Sequence, residues 1–274
     1  MKTGIIGTGN IANAIIGGSK LKTEPGLLRP EFWVYDVFPE KACECAEKHG
    51  VSAAESADEI AGSMEAVVLA VKPKDMPKLL SDIGDALKSN PNKPLLISVA
   101  AGLSIEYIES LLSFRLPVAR IMTNINASIG GAMTAYCLND LAEPRHEEFM
   151  REFCSLIGDA VKLDEAYFSQ FSVMAGCVPA FAYMFVEELA RAGVKIGVSK
   201  ELSLRIAAQT VLGSAKLVAQ GGAHPYELID RVCTPGGTTI EGIRALQEHG
   251  FPAAVMDAVV SSYEKDQKLA GMKK

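Results

Sequence analysis

The sequence predicts an α/β Rossmann-type N-terminal domain followed by an all-α C-terminal domain, and three observations carry that expectation. Short apolar runs alternate with amphipathic stretches over the first ~160 residues. A glycine-rich turn joins the first apolar run to the first amphipathic stretch. After about Asp164 the strand-like runs stop, and long stretches of helical periodicity take over.

The strand-like runs are Thr3–Ile6, Phe32–Tyr35, Ala66–Val71, Leu95–Val99, Val118–Met122 and Met133–Leu138. Helical stretches fall at Ile11–Leu21, Glu40–His49, Ala57–Ala61, Met76–Leu87 and Ile105–Leu112. Strands alternating with helices imply a largely parallel sheet covered on both faces. Asn90-Pro91-Asn92 and Arg115–Pro117 read as connectors entering strands. In the second half the helices expected are Ala180–Ala192, Lys200–Gln220, Pro225–Val232, Thr238–Glu248 and Pro252–Leu269. Gly193, Gly221–Gly222 and Gly250 stand where those helices should end, and Pro225 and Pro252 where they should begin. The expected domains are therefore 1–163 and 164–274.

Composition narrows the function classes. A chain of 274 residues, 49 % hydrophobic and 22 % charged, is long enough for two aliphatic cores. The net charge of −6 argues against a nucleic-acid partner, and the one local basic run is Lys273–Lys274. No run of about 18 apolar residues is found to span a bilayer, so no membrane span is expected. Lys2 leads directly into Ile5–Ile6 with no secretory pattern, which makes the cytoplasm the expected location. The six cysteines form no CxxC pair and no zinc-like cluster with histidine; reduced thiols and no metal are expected.

Gly4-Ile5-Ile6-Gly7-Thr8-Gly9-Asn10-Ile11-Ala12 contains G-x-G-x-x-A between a strand and a helix. Gly7 permits the tight turn, Gly9 leaves room for a pyrophosphate, and Ala12 lets the helix approach the sheet. The amides of Thr8, Asn10 and Ile11 belong to the same phosphate-facing turn. Asp36 ends the second strand, where a carboxylate accepts from ribose hydroxyls and repels a 2′-phosphate. That favours NADH over NADPH, although Asp36 is also placed to cap the helix entered at Pro39. Val71, Lys72 and Pro73 leave another strand on the ligand-binding side, with Lys72 able to reach cofactor phosphate or ribose or simply solvent. Ala100 and Ala101, in Ser98–Gly102, are small enough for a nicotinamide ring to lie against backbone.

In the helical half, Cys233-Thr234-Pro235-Gly236-Gly237-Thr238-Thr239 puts two hydroxyls and free amides at a helix start. Such a terminus can hold a carboxylate without a cation, and it reads equally as a loop with an N-cap.

Taken with that string, the chain resembles the pyrroline-5-carboxylate reductase family. The resemblance rests on Ile6–Ala12, Ala70–Pro73, Ser98–Gly102, Arg120–Asn126, Gly193–Gly197, Gln209–Lys216, His224-Pro225 and Pro235–Thr239, in that order along almost the whole chain. It implies reduction of (S)-1-pyrroline-5-carboxylate to L-proline by hydride from NADH or NADPH. It also implies that 1–163 binds the dinucleotide, while 164–274 binds substrate and forms a homodimer that can assemble into a ring of dimers. By the same resemblance, Gly237, Thr238 and the neighbouring amides hold the substrate carboxylate. Thr239 then bonds the ring nitrogen and helps supply its proton, Glu165 lines the substrate site, and Asn124 lies near the nicotinamide. Glu165 reads independently as an acid at a helix N-terminus.

Two segments depart from the family pattern. M-[PT]-N-T-P becomes Met122-Thr123-Asn124-Ile125-Asn126, and S-G-S-G-P-A-Y becomes Ala175-Gly176-Cys177-Val178-Pro179-Ala180-Phe181. They leave open a reductase of another cyclic imino acid, or a nicotinamide-binding paralogue without catalysis. A 3-hydroxyacid dehydrogenase shares the domain order, but its chemistry wants a lysine on the first long helix of the second domain. Tyr167 to Arg191 contains none.

Overall fold

Among the described residues, eight strands form one sheet: β1 (Lys2–Ile6), β2 (Glu31–Tyr35), β3 (Ser52–Ala53), β4 (Ala66–Leu69), β5 (Leu95–Ser98), β6 (Val118–Met122), β7 (Ala132–Leu138) and β8 (Gly158–Lys162). This computed structural model describes residues 1–22, 26 and 28–271, with side chains to 268. Across the sheet the order is β3-β2-β1-β4-β5-β6-β7-β8. Neighbours run parallel except β6 and β7, which are antiparallel. β4 and β5 are buried at every position because helices cover both faces, which is why their sequences are unbroken apolar runs. Alternate residues then feed two cores. Ile5, Val34, Val68 and Ile97 pack with Ile15, Ile16 and Phe153 on one face. Ile6, Leu69 and Leu96 pack with Leu80, Ile83 and Phe168 on the other.

The connecting helices are α1 (Asn10–Ser19), α2 (Pro39–His49), α3 (Ala57–Ser63), α4 (Met76–Ser89), α5 (Ile105–Ser110) and α6 (Pro144–Ser155). Their caps follow the local sequence: Ser56 and Ser104 accept from the amides of Glu59 and Tyr107, at 3.0 and 3.1 Å. Asn90 fixes the turn before β5 by donating to Ala61 O and Met64 O at 2.8 and 2.9 Å. β3, α6 and β8 were not expected from the sequence. β3 is two exposed residues, β8 is largely exposed, and the Phe149, Met150, Phe153 and Cys154 spacing of α6 is interleaved with charge.

Close backbone approach locks α1 in place. A Cβ on Gly18 would lie 1.8 Å from Ala127 O. Ala127 belongs to the 3-10 turn Ile125–Ile129 that follows β6. Only glycine allows that contact.

The described chain divides into two compact units, Met1–Gly176 with Ala270 and Gly271, and Cys177–Leu269. Residues 164–176 thus pack with the α/β unit, beyond the 163/164 division expected from the change to helical periodicity. Phe168 is buried in the second sheet core, and Glu165 bonds to groups of the α/β unit. This segment comprises a short 3-10 turn, Glu165–Tyr167, helix α7 (Phe168–Phe171) and a π-helical turn, Ser172–Cys177.

The second unit is α8 (Val178–Lys195), α9 (Lys200–Gly221), α10 (Pro225–Val232), α11 (Thr238–Glu248) and α12 (Phe251–Gly271). Gly193 does not end a helix: it lies inside α8, where a Cβ would stand 2.4 Å from Ser203 Oγ of α9. The left-handed residue after α8 is Gly197, at φ +99. Among the described residues of this unit only Ala190, Ser203 and Ala207 are buried. Large apolar side chains such as Met184, Leu212 and Met256 are 68, 61 and 63 % exposed. A unit this poor in internal core leaves an extensive apolar surface to be covered.

The expectation that no stretch reaches membrane-spanning length is corrected by the structure. By length and composition alone, the helical run Glu165–Lys195 is long and apolar enough to cross a membrane, with mean hydropathy 1.4 over its best 18 residues. Serine, glycine and proline between 172 and 179 hide it in the sequence, and the π-helical turn joins the pieces into one run.

Candidate functional site

Because β1, β2, β4, β5 and β6 are mutually parallel, their C-terminal ends share one edge of the sheet. The order 3-2-1-4 places a switch point between β1 and β4, where the chain leaves β1 through Gly7–Gly9. This edge gathers Gly7–Ala12, Asp36, Val71–Pro73, Ala100–Ala101 and Asn124 from five separate loops.

Gly7 has φ +97, and a Cβ there would lie 2.7 Å from Ala70 O. It therefore serves both the turn and the contact between the β1 and β4 ends. Gly9 differs. Its φ of −70 is ordinary for any residue, and a Cβ would meet nothing within 4 Å. Open space in front of an α-helix N-terminus that no side chain caps is the cradle an anionic phosphate requires. Gly9 and Asn10 are exposed, Ile11 is half-buried, and Ala12 is fully buried against the sheet.

Asp36 is tied to this turn. Its Oδ2 accepts from Thr8 N at 2.8 Å and Thr8 Oγ1 at 3.0 Å, and its Oδ1 accepts from Phe38 N at 3.1 Å. The N-cap of α2 is Phe38, with no side-chain cap, so Asp36 does not cap that helix. Lys41 Nζ lies 4.5 Å from the Phe38 ring centre, beside the same loop. Val71 and Pro73 are half-buried, and Lys72 is exposed at the start of the 3-10 turn Pro73–Asp75. Ala100 is buried, with its amide donating to Ser98 Oγ at 3.3 Å, and Ala101 is exposed.

Asn124 is buried, and its side chain is committed to protein groups. Nδ2 donates to Ala175 O at 2.8 Å, and Oδ1 accepts from Asn126 N at 3.0 Å. The two segments that depart from the family pattern are thereby joined, one beside β6 and the other in the π-helical turn. Glu165 is equally engaged. Its Oε1 accepts from Ile105 N at 2.9 Å, at the first turn of α5, and from Arg120 Nη1 at 2.8 Å. Arg120 lies against the Phe168 ring, 4.6 Å from its centre. The acid thus satisfies a helix N-terminus, as the sequence allowed, but that helix is α5, distant in the chain.

On the second unit, Gly237 N donates to Thr234 O at 2.9 Å across Pro235-Gly236, with Gly236 at φ +67. Proline followed by a left-handed glycine makes this a type II turn, which delivers the chain to α11. The N-cap is Gly237 and no side chain caps the helix, so Thr238 and Thr239 occupy its first two positions. Neither threonine acts as the cap. Thr239 is half-buried and Thr238 exposed.

Sequence reasoning did not single out Asn13 or His49. Asn13 Nδ2 donates to Thr8 O at 2.8 Å and Gly9 O at 3.1 Å, and His49 Nε2 meets Asn13 Oδ1 at 2.9 Å. Asn13 directly follows the glycine pattern, one turn past Gly9; no local signal points to His49, 36 positions further along.

Comparison with known proteins agrees with this architecture. Residues 165–269 match the family model for pyrroline-5-carboxylate reductase dimerisation. Residues 2–102 match that of the coenzyme F420-dependent NADP oxidoreductases. The chain is 37 % identical over 269 residues to pyrroline-5-carboxylate reductase of Escherichia coli, covering 98 % of both chains. Its fold matches the crystal structure of the reductase from Streptococcus pyogenes, with a TM-score of 0.83 and 34 % identity over 98 % of each chain. The Plasmodium falciparum pyrroline carboxylate reductase, solved with NADP bound, gives a TM-score of 0.83 at 27 % identity, again over 98 % of each chain. With relatives this similar along its full length, the chain belongs to the pyrroline-5-carboxylate reductase family.

Proposed function

We propose that the protein reduces (S)-1-pyrroline-5-carboxylate to L-proline with a nicotinamide dinucleotide, as a cytoplasmic homodimer formed through its helical unit. The observation that carries this reading is the open, uncapped N-terminus of α1 at Gly9, in a chain that matches the family end to end. A bound nicotinamide dinucleotide supplies the hydride. The chain's own task is to hold and orient. Gly7–Ala12 receive the pyrophosphate, Val71–Pro73 and Ala100–Ala101 flank the cofactor along the sheet edge, and Asn124 shapes the wall near the nicotinamide.

Thr238, Gly237 and the first amides of α11 hold the substrate carboxylate on the helix dipole. Thr239 hydrogen-bonds the ring nitrogen and helps supply the proton that makes it an iminium. A cyclic imine is basic enough for the iminium to be the acceptor, so no strong acid is needed. Glu165, bonded to Arg120 and Ile105, supports the substrate side by positioning α5. The apolar flanks of α8, α9 and α12 supply the dimer surface.

The primary test is oxidation of NADH and NADPH by the purified protein with pyrroline-5-carboxylate, run in parallel with a six-membered cyclic imino acid. Cofactor binding without turnover on either imine would sink the proposal; preference for the larger ring would reassign the substrate. Thr239→Ala is expected to lower kcat by roughly 10²–10⁴-fold while leaving cofactor affinity within about twofold. Normal turnover in that variant would remove Thr239 from the mechanism.

Asp36 favours NADH, because a carboxylate held on Thr8 repels a 2′-phosphate. Asp36→Ser should shift the NADPH/NADH ratio of kcat/KM toward NADPH by about tenfold, near 1.4 kcal/mol. If the unsubstituted chain already prefers NADPH strongly, Lys41 outweighs Asp36 and the assignment fails.

A further inference from the structure

We propose that Asn13 and His49 are positioning residues for the dinucleotide phosphates, acting through the backbone of the glycine turn. The proposal rests on the reading of Gly7–Ala12 as the phosphate site. Asn13 Nδ2 reaches two carbonyls, Thr8 O at 2.8 Å and Gly9 O at 3.1 Å. In a trans peptide the C=O and the following N–H point in opposite directions. Pulling Thr8 O toward Asn13 therefore turns Gly9 N–H outward, while Gly9 O, which also accepts the first helical bond from Asn13 N at 3.0 Å, keeps Asn10 N–H outward. Those two amides sit on the exposed residues of the turn, in front of the space left by the missing Gly9 side chain. Thr8 N is already held by Asp36. The turn is thus clamped on both sides, with the next two amides aimed at solvent.

His49 orients the clamp. Because two carbonyls require the amide nitrogen of Asn13, its Oδ1 must face the imidazole, and His49 Nε2 must be the donor at 2.9 Å. Burial, with Lys48 and Lys20 nearby, lowers the His49 pKa below its ordinary value and favours the neutral ring. In that state this contact selects the tautomer with the proton on Nε2. The imidazole fits because residue 17 is glycine: a Cβ there would lie 3.1 Å from His49 Cε1. Lys20 Nζ bonds His49 O and also reaches Gly50 O at 3.3 Å, which ties the end of α2 to the end of α1. None of these groups belongs to the glycine pattern itself. They convert a turn that glycine makes deformable into one with preset donors.

The test is equilibrium binding of NADH, NADPH and ADP-ribose to the full-length chain and to Asn13→Ala, His49→Ala, His49→Gln and the Asn13→Ala/His49→Ala pair. Asn13→Ala should weaken all three ligands by about three- to tenfold, since all share the pyrophosphate. His49→Ala should weaken them by about two- to fivefold, and His49→Gln should restore binding by donating from the same place. The paired variant should bind like Asn13→Ala alone, because His49 acts only through Asn13. At saturating NADH, kcat should stay within about twofold in every variant, so that the effect appears in the cofactor KM.

Unchanged affinities beside a lowered melting temperature would overturn the proposal and leave the contacts purely structural. Additive losses, or failure of glutamine to rescue, would overturn the relay from His49. If Asn13→Ala does not fold, the His49→Ala and His49→Gln pair decides the matter. No binding of any dinucleotide by the unsubstituted chain would instead overturn the underlying reading of the turn, and this proposal with it.

Discussion

Gly9→Val is expected to raise the dissociation constant for NADH and NADPH by at least about 100-fold while leaving the fold intact. The residue has φ −70 and open space where a Cβ would lie, so the protein gives a valine nothing to collide with. Valine is a poorer N-cap than glycine, which costs about 1 kcal/mol and a few degrees of melting temperature. The obstruction falls on the ligand, in the space a pyrophosphate would fill against Gly9 N and Asn10 N. Calorimetric or fluorescence titration reads the affinity, and circular dichroism reads the fold. A variant that binds NADH normally would show that the phosphates lie elsewhere, and the assignment of the whole sheet edge would fall with it.

The largest stability effect is expected at Gly18. A Cβ there would sit 1.8 Å from Ala127 O and 2.9 Å from Ala127 C, and these are backbone atoms that no rotamer change can move. Gly18→Ala should therefore cost about 3 kcal/mol or more, or roughly 6–12 °C in the unfolding midpoint, because α1 must separate from the turn after β6. Gly84→Ala is the matched control. That position is inside α4 with nothing within 4 Å of a Cβ, so alanine should be neutral or stabilising by up to about 1 kcal/mol. Thermal unfolding of both variants separates glycine as a packing requirement from glycine as a helix weakness. A normal midpoint for Gly18→Ala would mean that α1 and the Ala127 turn do not meet as described.

The local geometry of the candidate site was legible where its determinants are local. Gly7 and Gly9 follow a strand and open a helix, and the structure gives them those places. Pro235-Gly236 forms a turn, and α11 begins at Thr238 as its residues suggested. The Asp36 alternatives could not be separated from sequence, since capping α2 and facing the turn both need only an acid at a strand end. The structure removes the capping role, since Phe38 is the uncapped N-cap of α2 and Asp36 accepts from Thr8 instead. Gly193 was misread for a similar reason. A glycine near a helix end and a glycine under a crossing helix look alike until Ser203 is seen against it.

The sequence by itself determined the order of strands and helices, the phosphate-type turn and the α11 terminus, because periodicity, proline and glycine act over a few residues. Its family strings also determined the kinship. The tertiary structure decided which distant groups share a bond. Asn13 meets His49, Glu165 meets Arg120 and Ile105, and Asn124 meets Ala175. It also decided that Glu165–Lys195 forms one helical run, and that the second unit buries little of its apolar surface within the chain. The physical reason is common to all of these. Side-chain pairing and packing depend on how the sheet orders its strands and brings elements together, and no local spacing encodes that order.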